Sequence, residues 1–263
     1  MLAANPMPSK NKFKAALAAR RPQYGLVLGT GDPSVLEIIA GAGFDWLLLD
    51  GEHSAREMAA LPQQLALIAA SGASAALRPG SLDKAACGLC LDIGVQTLVA
   101  PLVESVSQAH GLVASTRFPP AGTRGVGTAL ARAAGWGRDA DFLRGSAAEL
   151  CIVAQIESAA GVHCAGEIAR VDGIDALLIG PSDLAASLGH LGQPSHPEVE
   201  AQIAEAVAAA LSGGKAAGIF VRDPDAAARY LRLGCSFFIV GVDMAVMAGA
   251  FDALRAGYAA RPD

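Results

Sequence analysis

Residues 46–53 read Trp-Leu-Leu-Leu-Asp-Gly-Glu-His, a stretch in which an apolar run leads directly into a polar end. A short, almost continuous apolar run is typical of a parallel strand that is covered on both faces. The ionisable residues Asp50, Glu52 and His53 follow it, with Gly51 allowing a sharp turn out of the strand. We therefore predict that the run is a barrel strand and that its polar end lies at the edge of an active site.

The same pattern recurs along the chain. Three more segments combine a glycine, a short polar link and an apolar run, and they begin at Gly94, Gly173 and Gly234. Four other short apolar runs lie between them, at residues 24–28, 73–78, 150–157 and 217–221. Eight candidate strands, most followed by a helical pattern, predict a (β/α)₈ barrel. An open doubly wound sheet is the alternative, but the first βα turn, residues 28–33, lacks the GxGxxG fingerprint of that fold.

The length of the chain fits a single barrel domain over residues 1–263. Residues 1–20 are predicted to form a basic N-terminal arm or helix before the first strand. The longest gap between strands contains the Gly-rich residues 119–140, in which Arg124 and Trp136 are interspersed. A long segment of this kind inside a compact domain is usually functional, so we predict an active-site or interface loop there.

The overall composition narrows the range of partners. Apolar residues make up 52% of the chain and the mean hydropathy is +0.39, yet no stretch approaches the roughly 18 uninterrupted apolar residues of a membrane helix. The net charge of −5 and the lack of a basic stripe argue against binding to nucleic acid. The five cysteines are scattered, and the N-terminus lacks the apolar stretch of a secretory signal. We expect a cytoplasmic protein without nucleic-acid or membrane partners.

Polar side chains follow several of the predicted strands at their carboxyl ends. They are Asp50 and His53 after the second strand, Arg78 after the third, Gln155 and Glu157 after the fifth, and Ser182 and Asp183 after the sixth, where Gly180 precedes them and offers only its backbone. Because the carboxyl ends of barrel strands form the face that carries the active site, we expect these residues to line one rim. A histidine there can act as a general base near neutral pH. A set of structural ion pairs is the alternative interpretation.

Two carboxylates, Glu157 and Asp183, are expected to face one centre, which favours a hard divalent cation such as Mg²⁺ or Mn²⁺. Two protein ligands would leave about four octahedral positions for a 2-oxo acid and water. Zinc and non-haem iron are less suited because only one histidine is near. None of the five lysines follows a strand end, which argues against Schiff-base chemistry. An enzyme that handles keto acids with this rim would therefore need a metal.

Four motifs carry a resemblance to a known enzyme family. They are AGFDWLLLDGEH at residues 42–53, RFPPAGTRGVG at 117–127, QIES at 155–158 and GPSDLAASLG at 180–189. In these motifs, and from about Phe13 to the C-terminus, the chain resembles the metal-dependent (class II) pyruvate aldolases that cleave 2-dehydro-3-deoxyglucarate and 4-hydroxy-2-oxoheptane-1,7-dioate. The resemblance implies a modified (β/α)₈ barrel and a homohexamer, built as a trimer of dimers with a C-terminal helix exchanged between subunits.

The resemblance also implies roles for the residues of the rim. His53 corresponds to the catalytic base, and Arg78 to the arginine that stabilises the enolate oxygen. Glu157 and Asp183 correspond to the ligands of a divalent metal, either Mg²⁺ or Mn²⁺, with Co²⁺ as a further candidate. These ligands agree with the pair inferred from the residues alone.

The remaining assignments concern the substrate and the catalytic histidine. Gln155 and Ser182, with Gly180 beside them, correspond to substrate contacts. The resemblance gives Asp92 the role of a carboxylate that raises the basicity of the histidine. Asp50 is the alternative partner for that histidine, and the sequence does not rank the two.

The implied function is the reversible cleavage of a 4-hydroxy-2-oxo acid to pyruvate and an aldehyde through a metal-stabilised pyruvate enolate. The acceptor aldehyde stays open, because Val27 stands where family members often carry an aromatic residue and residues 28–30 are this chain's own. An acyl-CoA lyase of the citrate lyase β type is one alternative, although no basic cluster suits the CoA phosphates. A non-catalytic barrel that binds a keto acid is another, although it would not need a base beside a metal site.

Overall fold

Eight parallel strands form a closed barrel in the computed structural model, which describes residues 10–55 and 57–259. The strands are β1 (Gln23–Leu28), β2 (Trp46–Asp50), β3 (Ser74–Arg78), β4 (Thr97–Ala100), β5 (Cys151–Ile156), β6 (Ala176–Ile179), β7 (Ala216–Phe220) and β8 (Cys235–Val242). Each strand pairs with the next along the chain, and β1 pairs with β8 to close the barrel. The predicted (β/α)₈ barrel is confirmed, and the open sheet is excluded because it would leave two unpaired edges.

Helices connect and surround the strands. They are α1 (Lys12–Ala18), α2 (Pro33–Ala40), α3 (Leu61–Ser71), α4 (Lys84–Ile93), α5 (Val106–Thr116), α6 (Phe142–Gly145), α7 (Ala159–Arg170), α8 (Pro181–Ser187), α9 (Pro197–Ser212), α10 (Pro224–Leu233) and α11 (Asp243–Ala259). Short 3₁₀ helices lie at Met58–Ala60, Arg132–Ala134 and Ser146–Glu149. Helix α1 lies within the predicted N-terminal arm, of which residues 1–9 lie outside the described part of the chain.

The second strand shows how side chains are divided between its two faces. In β2, Trp46 and Leu48 point into the barrel, whereas Leu47 packs against the surrounding helices. Since successive side chains of a strand point to opposite faces, Asp50 shares the inner face with Trp46 and Leu48. Its partner in the register with β3 is Arg78. The polar end of β2 therefore opens into the mouth of the barrel.

Helix α1 closes the opposite, amino-terminal end of the barrel. Phe13 is buried, and its ring centroid lies 4.8 Å from that of Trp46 and 5.8 Å from that of Phe237. Two glycines make room for these rings, because a Cβ on Gly25 would lie 2.4 Å from the Trp46 indole and one on Gly218 would lie 2.3 Å from the Phe237 ring. Buried aromatic rings contribute strongly to core stability. The barrel is thus sealed at one end and polar at the other.

Residues 119–140 lie at this same amino-terminal end. Arg124 is buried and forms an ion pair with Asp92 at 2.6 Å. Arg132 Nη1 donates to the backbone carbonyl of Ile93, the last residue of α4, at 3.1 Å. The segment is therefore remote from the polar rim of its own chain. It could line the active site only of another chain, and its role as an active-site or interface loop stays a prediction.

The last helix presents an apolar surface to solvent. Large apolar side chains of α11 have exposed fractions between 54% and 70%; they are Met244, Val246, Phe251, Leu254 and Tyr258. Exposed apolar surface of this kind often marks a protein interface. The exchange of this helix between subunits nevertheless stays a prediction. No helix in the described part of the chain has the length and apolar character to cross a membrane.

Candidate active site

The centre of the rim is a partly buried ion pair between the ends of β2 and β3. Arg78 Nε donates to Asp50 Oδ1 and Arg78 Nη2 donates to Asp50 Oδ2, both at 2.9 Å. This bidentate geometry fixes the orientation of the guanidinium group. Charge-assisted hydrogen bonds of this type are stronger than hydrogen bonds between neutral groups. Burial would raise the pKa of Asp50, but the hydrogen bonds and charge of Arg78 outweigh burial and hold that pKa below its ordinary value. Arg78 is therefore an oriented positive charge in the barrel mouth.

A second acidic residue, Glu52, links this ion pair to His53. Glu52 Oε2 lies 3.2 Å from Arg78 Nη1 and 3.5 Å from His53 Nε2. The His53 side chain is 66% exposed, so it stands at the open edge of the rim. Asp50, one predicted partner of the histidine, engages Arg78 and accepts the backbone N–H of Glu52 at 3.0 Å. Nothing in the sequence marks Glu52 as a bridge, because a glutamate in a loop is usually solvated.

Glu157 follows β5 and is held in the mouth by two hydrogen bonds. Leu102 N donates to Glu157 Oε1 at 2.8 Å, and Gln155 Nε2 donates to Glu157 Oε2 in a short contact. Burial raises the pKa of Glu157 more than these bonds lower it, and the charges of Asp183 and Glu52 add to the rise. A bound cation would stabilise the negative charge of a carboxylate that is buried near other carboxylates.

Asp183 reaches the rim from the first turn of α8. The helix begins at Pro181, which leaves Ser182 and Asp183 exposed at the mouth. Gly180 packs against Glu157, since a Cβ at Gly180 would lie 2.7 Å from Glu157 Oε2. Both predicted metal ligands follow strand ends at this face, and the charge of Asp183 helps to raise the pKa of Glu157. Their role as ligands of one cation stays a prediction. The predicted substrate contacts of Gly180 and Ser182 stay predictions.

The mouth also contains an unsatisfied acceptor. Gln155 is buried and its Nε2 donates to Glu157, while its Oε1 accepts no hydrogen bond from the residues that the structure describes. Leaving a buried acceptor unpaired costs about 1–3 kcal/mol. The ligand atoms that Gln155 Oε1 and the carboxylates of Glu157 and Asp183 offer at this part of the rim are all oxygens. Such a set fits a hard divalent cation, or a substrate that donates a hydrogen bond.

Asp92 lies away from the rim of its own chain. It belongs to the last turn of α4, and its Oδ1 accepts from Arg124 Nη2 at 2.6 Å. A helix that follows a barrel strand runs back toward the amino-terminal end of the barrel, so its last turn lies at the face opposite His53. A partnership between Asp92 and His53 therefore requires two chains and stays a prediction.

Two further contributors to the rim carry no signal in the sequence. Leu102, whose backbone N–H binds Glu157, has a φ of +50°, which is uncommon for a residue other than glycine. Asp243, at the start of α11, is buried and accepts the backbone N–H groups of Gly29 at 2.8 Å and Thr30 at 2.9 Å. Both roles depend on backbone groups that are distant in sequence, so residue types and spacing do not reveal them.

Known proteins are similar to this chain over most of its length. Residues 23–250 match the family described as HpcH/HpaI aldolase/citrate lyase. A hydroxypyruvate/pyruvate aldolase from Pseudomonas aeruginosa is 46% identical over 237 residues, which cover 90% of this chain and 88% of the relative. A 4-hydroxy-2-oxo-heptane-1,7-dioate aldolase from Escherichia coli is 44% identical over 252 residues, which cover 96% of each chain.

A solved structure has the same fold. The crystal structure of an HpcH/HpaI aldolase/citrate lyase family protein from Burkholderia cenocepacia J2315 matches with a TM-score of 0.89 and 37% identity, covering 95% of this chain and 100% of that one. The curated relatives carry aldolase names, so the predicted carbon–carbon lyase of the aldolase type is confirmed. The resemblance seen in the motifs is also confirmed, and the chain belongs to the HpcH/HpaI aldolase/citrate lyase family.

Proposed function

We propose that the chain is a metal-dependent pyruvate aldolase, which reversibly cleaves a 4-hydroxy-2-oxo acid to pyruvate and an aldehyde. The observation that carries the proposal is the buried Glu157 carboxylate, which lies near Asp183 and near the positive charge of Arg78. A cation site beside a fixed positive charge suits the formation of an enolate. The relatives' names, hydroxypyruvate/pyruvate aldolase and 4-hydroxy-2-oxo-heptane-1,7-dioate aldolase, support a substrate of this class.

Glu157 and Asp183 would hold a divalent cation, for which Mg²⁺, Mn²⁺ and Co²⁺ are the candidates. The raised pKa of Glu157 supports this assignment, because a cation offsets the burial and the repulsion between carboxylates that raise it. The oxygen donors suit Mg²⁺ and Mn²⁺ better than softer ions. When bound, the cation supplies Lewis-acid stabilisation of the charge that develops on the substrate's keto oxygen.

His53 is the proposed base for the cleavage step. It accepts the proton of the C4 hydroxyl, the C3–C4 bond breaks, and the C4 oxygen becomes the carbonyl of the released aldehyde. The electron pair of the broken bond forms the enolate of pyruvate, whose oxygen Arg78 stabilises from the orientation that Asp50 fixes. Return of a proton to C3 completes pyruvate. Glu52 lies between the two side chains, 3.2 Å from Arg78 Nη1 and 3.5 Å from His53 Nε2.

The substrate would enter over the exposed side of the rim. Gln155 offers its unsatisfied Oε1, and Ser182 stands exposed beside Asp183. These two groups, with the backbone at Gly180, are the proposed contacts to the 2-oxo acid. The end of β1 lies on the other side of the mouth, and its residues are proposed to contact the part of the substrate that leaves as the aldehyde.

Pyruvate release from two substrates tests the proposal. Protein stripped with EDTA is given 2-dehydro-3-deoxyglucarate or 4-hydroxy-2-oxoheptane-1,7-dioate, first without metal and then with Mg²⁺ or Mn²⁺. We expect release only after metal is restored, and the ratio of the two rates identifies the preferred aldehyde. Release that survives EDTA would contradict the metal-dependent mechanism. No release from either substrate, with metal shown to bind, would exclude both substrates.

We also propose that the chain assembles as a homohexamer, a trimer of dimers. The exposed apolar side chains of α11 support an interface there. The position of Asp92, at the face opposite His53, supports a site completed by a second subunit. The cytoplasmic location and the lack of a nucleic-acid partner stay predictions from the sequence.

A further inference from the structure

A second cluster of metal-ligating side chains lies outside the proposed cation site, in the connection between α8 and α9. His190, His196 and Glu198 each offer one ligand atom, and these atoms all lie within 4.8 Å of one another. The two histidines are partly buried and the glutamate is exposed. None of the three takes part in the proposed cleavage reaction, so their proximity needs a separate explanation.

Main-chain turns bring the two histidines together. His190 N donates to Ala185 O at 2.7 Å, at the end of α8. Gln193 then bridges the histidines, because its N–H donates to His190 O at 2.9 Å and its carbonyl accepts from His196 N at 3.0 Å. The imidazole rings stack with centroids 3.6 Å apart and an interplanar angle of 17°. The backbone therefore places the two histidines side by side, while the orientation of each ring is left to its side-chain rotamer.

The donor set of the cluster is two imidazoles and one carboxylate. His190 Nε2 lies 2.7 Å from Glu198 Oε2, and Glu198 N donates to His196 Nδ1 at 3.2 Å. The hydrogen bond with His190 lowers the pKa of the Glu198 carboxyl group. Imidazole nitrogen with carboxylate oxygen is a ligand combination of Zn²⁺, Co²⁺, Ni²⁺ and Cu²⁺. It differs in kind from the all-oxygen set of Glu157 and Asp183.

We propose that His190, His196 and Glu198 bind a divalent ion of the zinc class, with water completing the coordination. The ion takes the position of the proton between His190 Nε2 and Glu198 Oε2, and that proton moves to Nδ1 of the same ring, which keeps the imidazole neutral. The rings turn out of their stack, since imidazole lone pairs lie in the ring planes, and His196 gives up its 3.2 Å contact with the α9 backbone.

Occupancy of this site would restrain the catalytic face. The connection between α8 and α9 follows the helix that carries Asp183, and Glu198 belongs to the first turn of α9. An ion that binds all three side chains cross-links the connection to α9. Since it binds only the folded arrangement, it stabilises the protein in proportion to its free concentration.

Equilibrium dialysis against Zn²⁺ tests the proposal. The wild-type chain should bind one equivalent at this cluster, in addition to any ion held by Glu157 and Asp183. His190→Gln and Glu198→Gln should each weaken this equivalent at least about tenfold. Glu157→Gln should leave it unchanged. His163→Gln is the matched control, because His163 is exposed on α7, away from the cluster. This variant should bind Zn²⁺ as the wild type does.

X-ray absorption at the zinc edge, measured on the Glu157→Gln protein, provides a second readout. Scattering from two imidazole ligands is expected there and should disappear in the double variant that also carries His190→Gln. Equal Zn²⁺ binding by the wild type and both cluster variants would overturn the proposal, as would a spectrum without imidazole ligands. Loss of pyruvate release in Glu157→Gln bears on the proposed function alone, so the two proposals fail separately.

Discussion

Arg78 is the residue whose proposed role depends most on geometry. It donates two hydrogen bonds to Asp50, and together they fix the plane of the guanidinium in the mouth. A charge that is already oriented stabilises a developing enolate without reorganisation at the moment of reaction. A lysine would keep the positive charge, but its ammonium group is a flexible point charge that cannot form the bidentate hydrogen bond to Asp50. Orientation and charge can therefore be separated by one substitution.

Arg78→Lys is expected to lower kcat/KM on the order of 10²–10³, the loss that follows removal of one preorganised donor. Steady-state kinetics of pyruvate release measures the effect, with circular dichroism to show that the barrel still folds. Arg117→Lys is the matched control, since Arg117 pairs with Asp172 at 2.8 Å away from the rim. A rate near that of the wild type for Arg78→Lys would contradict the role assigned to orientation.

The raised pKa of Glu157 predicts how the stability of the metal-free protein depends on pH. Burial, and then the neighbouring carboxylates, raise its folded-state pKa above the ordinary value of 4.5. The folded state therefore binds this proton more tightly than the unfolded state does. The resulting stability is fully present below pH 4.5 and is lost as pH rises through the folded-state pKa. Glu157→Gln removes the titrating group while it keeps the side chain's shape.

Thermal unfolding in EDTA checks this prediction. The difference in Tm between Glu157→Gln and the wild type should grow in favour of the variant as pH rises from 4.5 toward neutrality. Both proteins retain Asp50, so the titration of that group cancels in the comparison. Added Mg²⁺ should raise the Tm of the wild type and leave that of the variant unchanged. Parallel pH curves for the two proteins would show that Glu157 does not carry the effect.

The start of α11 fixes the loop that follows β1. Asp243 Oδ1 accepts from Gly29 N at 2.8 Å, and its Oδ2 accepts from Thr30 N at 2.9 Å. Met244 N also donates to Oδ1, at 2.7 Å. One buried carboxylate thus ties the β1 loop to the end of β8, although the two segments lie at opposite ends of the chain.

Asp243→Asn is expected to destabilise the protein by about 1–3 kcal/mol, because the amide nitrogen would face a backbone N–H donor and leave it unpaired. Urea unfolding measures the free energy of unfolding of the variant and the wild type. Asp252→Asn serves as the control, since Asp252 is exposed on the same helix and should change stability by no more than about 0.5 kcal/mol. An equal loss in the free energy of unfolding in both variants would refute the proposal that Asp243 holds the β1 loop.

The strands could be predicted from the sequence because strands covered on both faces leave continuous apolar runs. The rim residues that directly follow these runs could be predicted too, and Asp50 and Arg78 indeed lie at paired strand ends. The rest could not. Leu102 acts through its backbone N–H, and Asp243 binds N–H groups from the other end of the chain. The separation of Asp92 from the rim appears only once the direction of α4 is known.

Two surfaces of the chain are candidates for contact with another subunit in the proposed assembly. One is the apolar side of α11, which is exposed along the helix. The other is the amino-terminal end, where Asp92 lies and where a cleft of about 760 Å³ is lined by residues that include Gln96, Arg132 and Trp136. The exposed His53 stands at the opposite end. An assembly that packs the amino-terminal end of one chain against the rim of the next would cover both ends and bring Asp92 to His53.

Complementation between variants tests that arrangement. His53→Ala and Asp92→Asn are each expected to be slow alone, and asparagine retains the acceptor oxygen that Arg124 uses. After subunit exchange, some interfaces join an intact His53 to an intact Asp92, so the mixture should exceed the summed activities of its components. His53→Ala mixed with Arg78→Lys is the control, because every rim in that mixture carries a change. Activity no higher than the control would refute a site shared between chains, and a fully active Asp92→Asn would remove Asp92 from the mechanism.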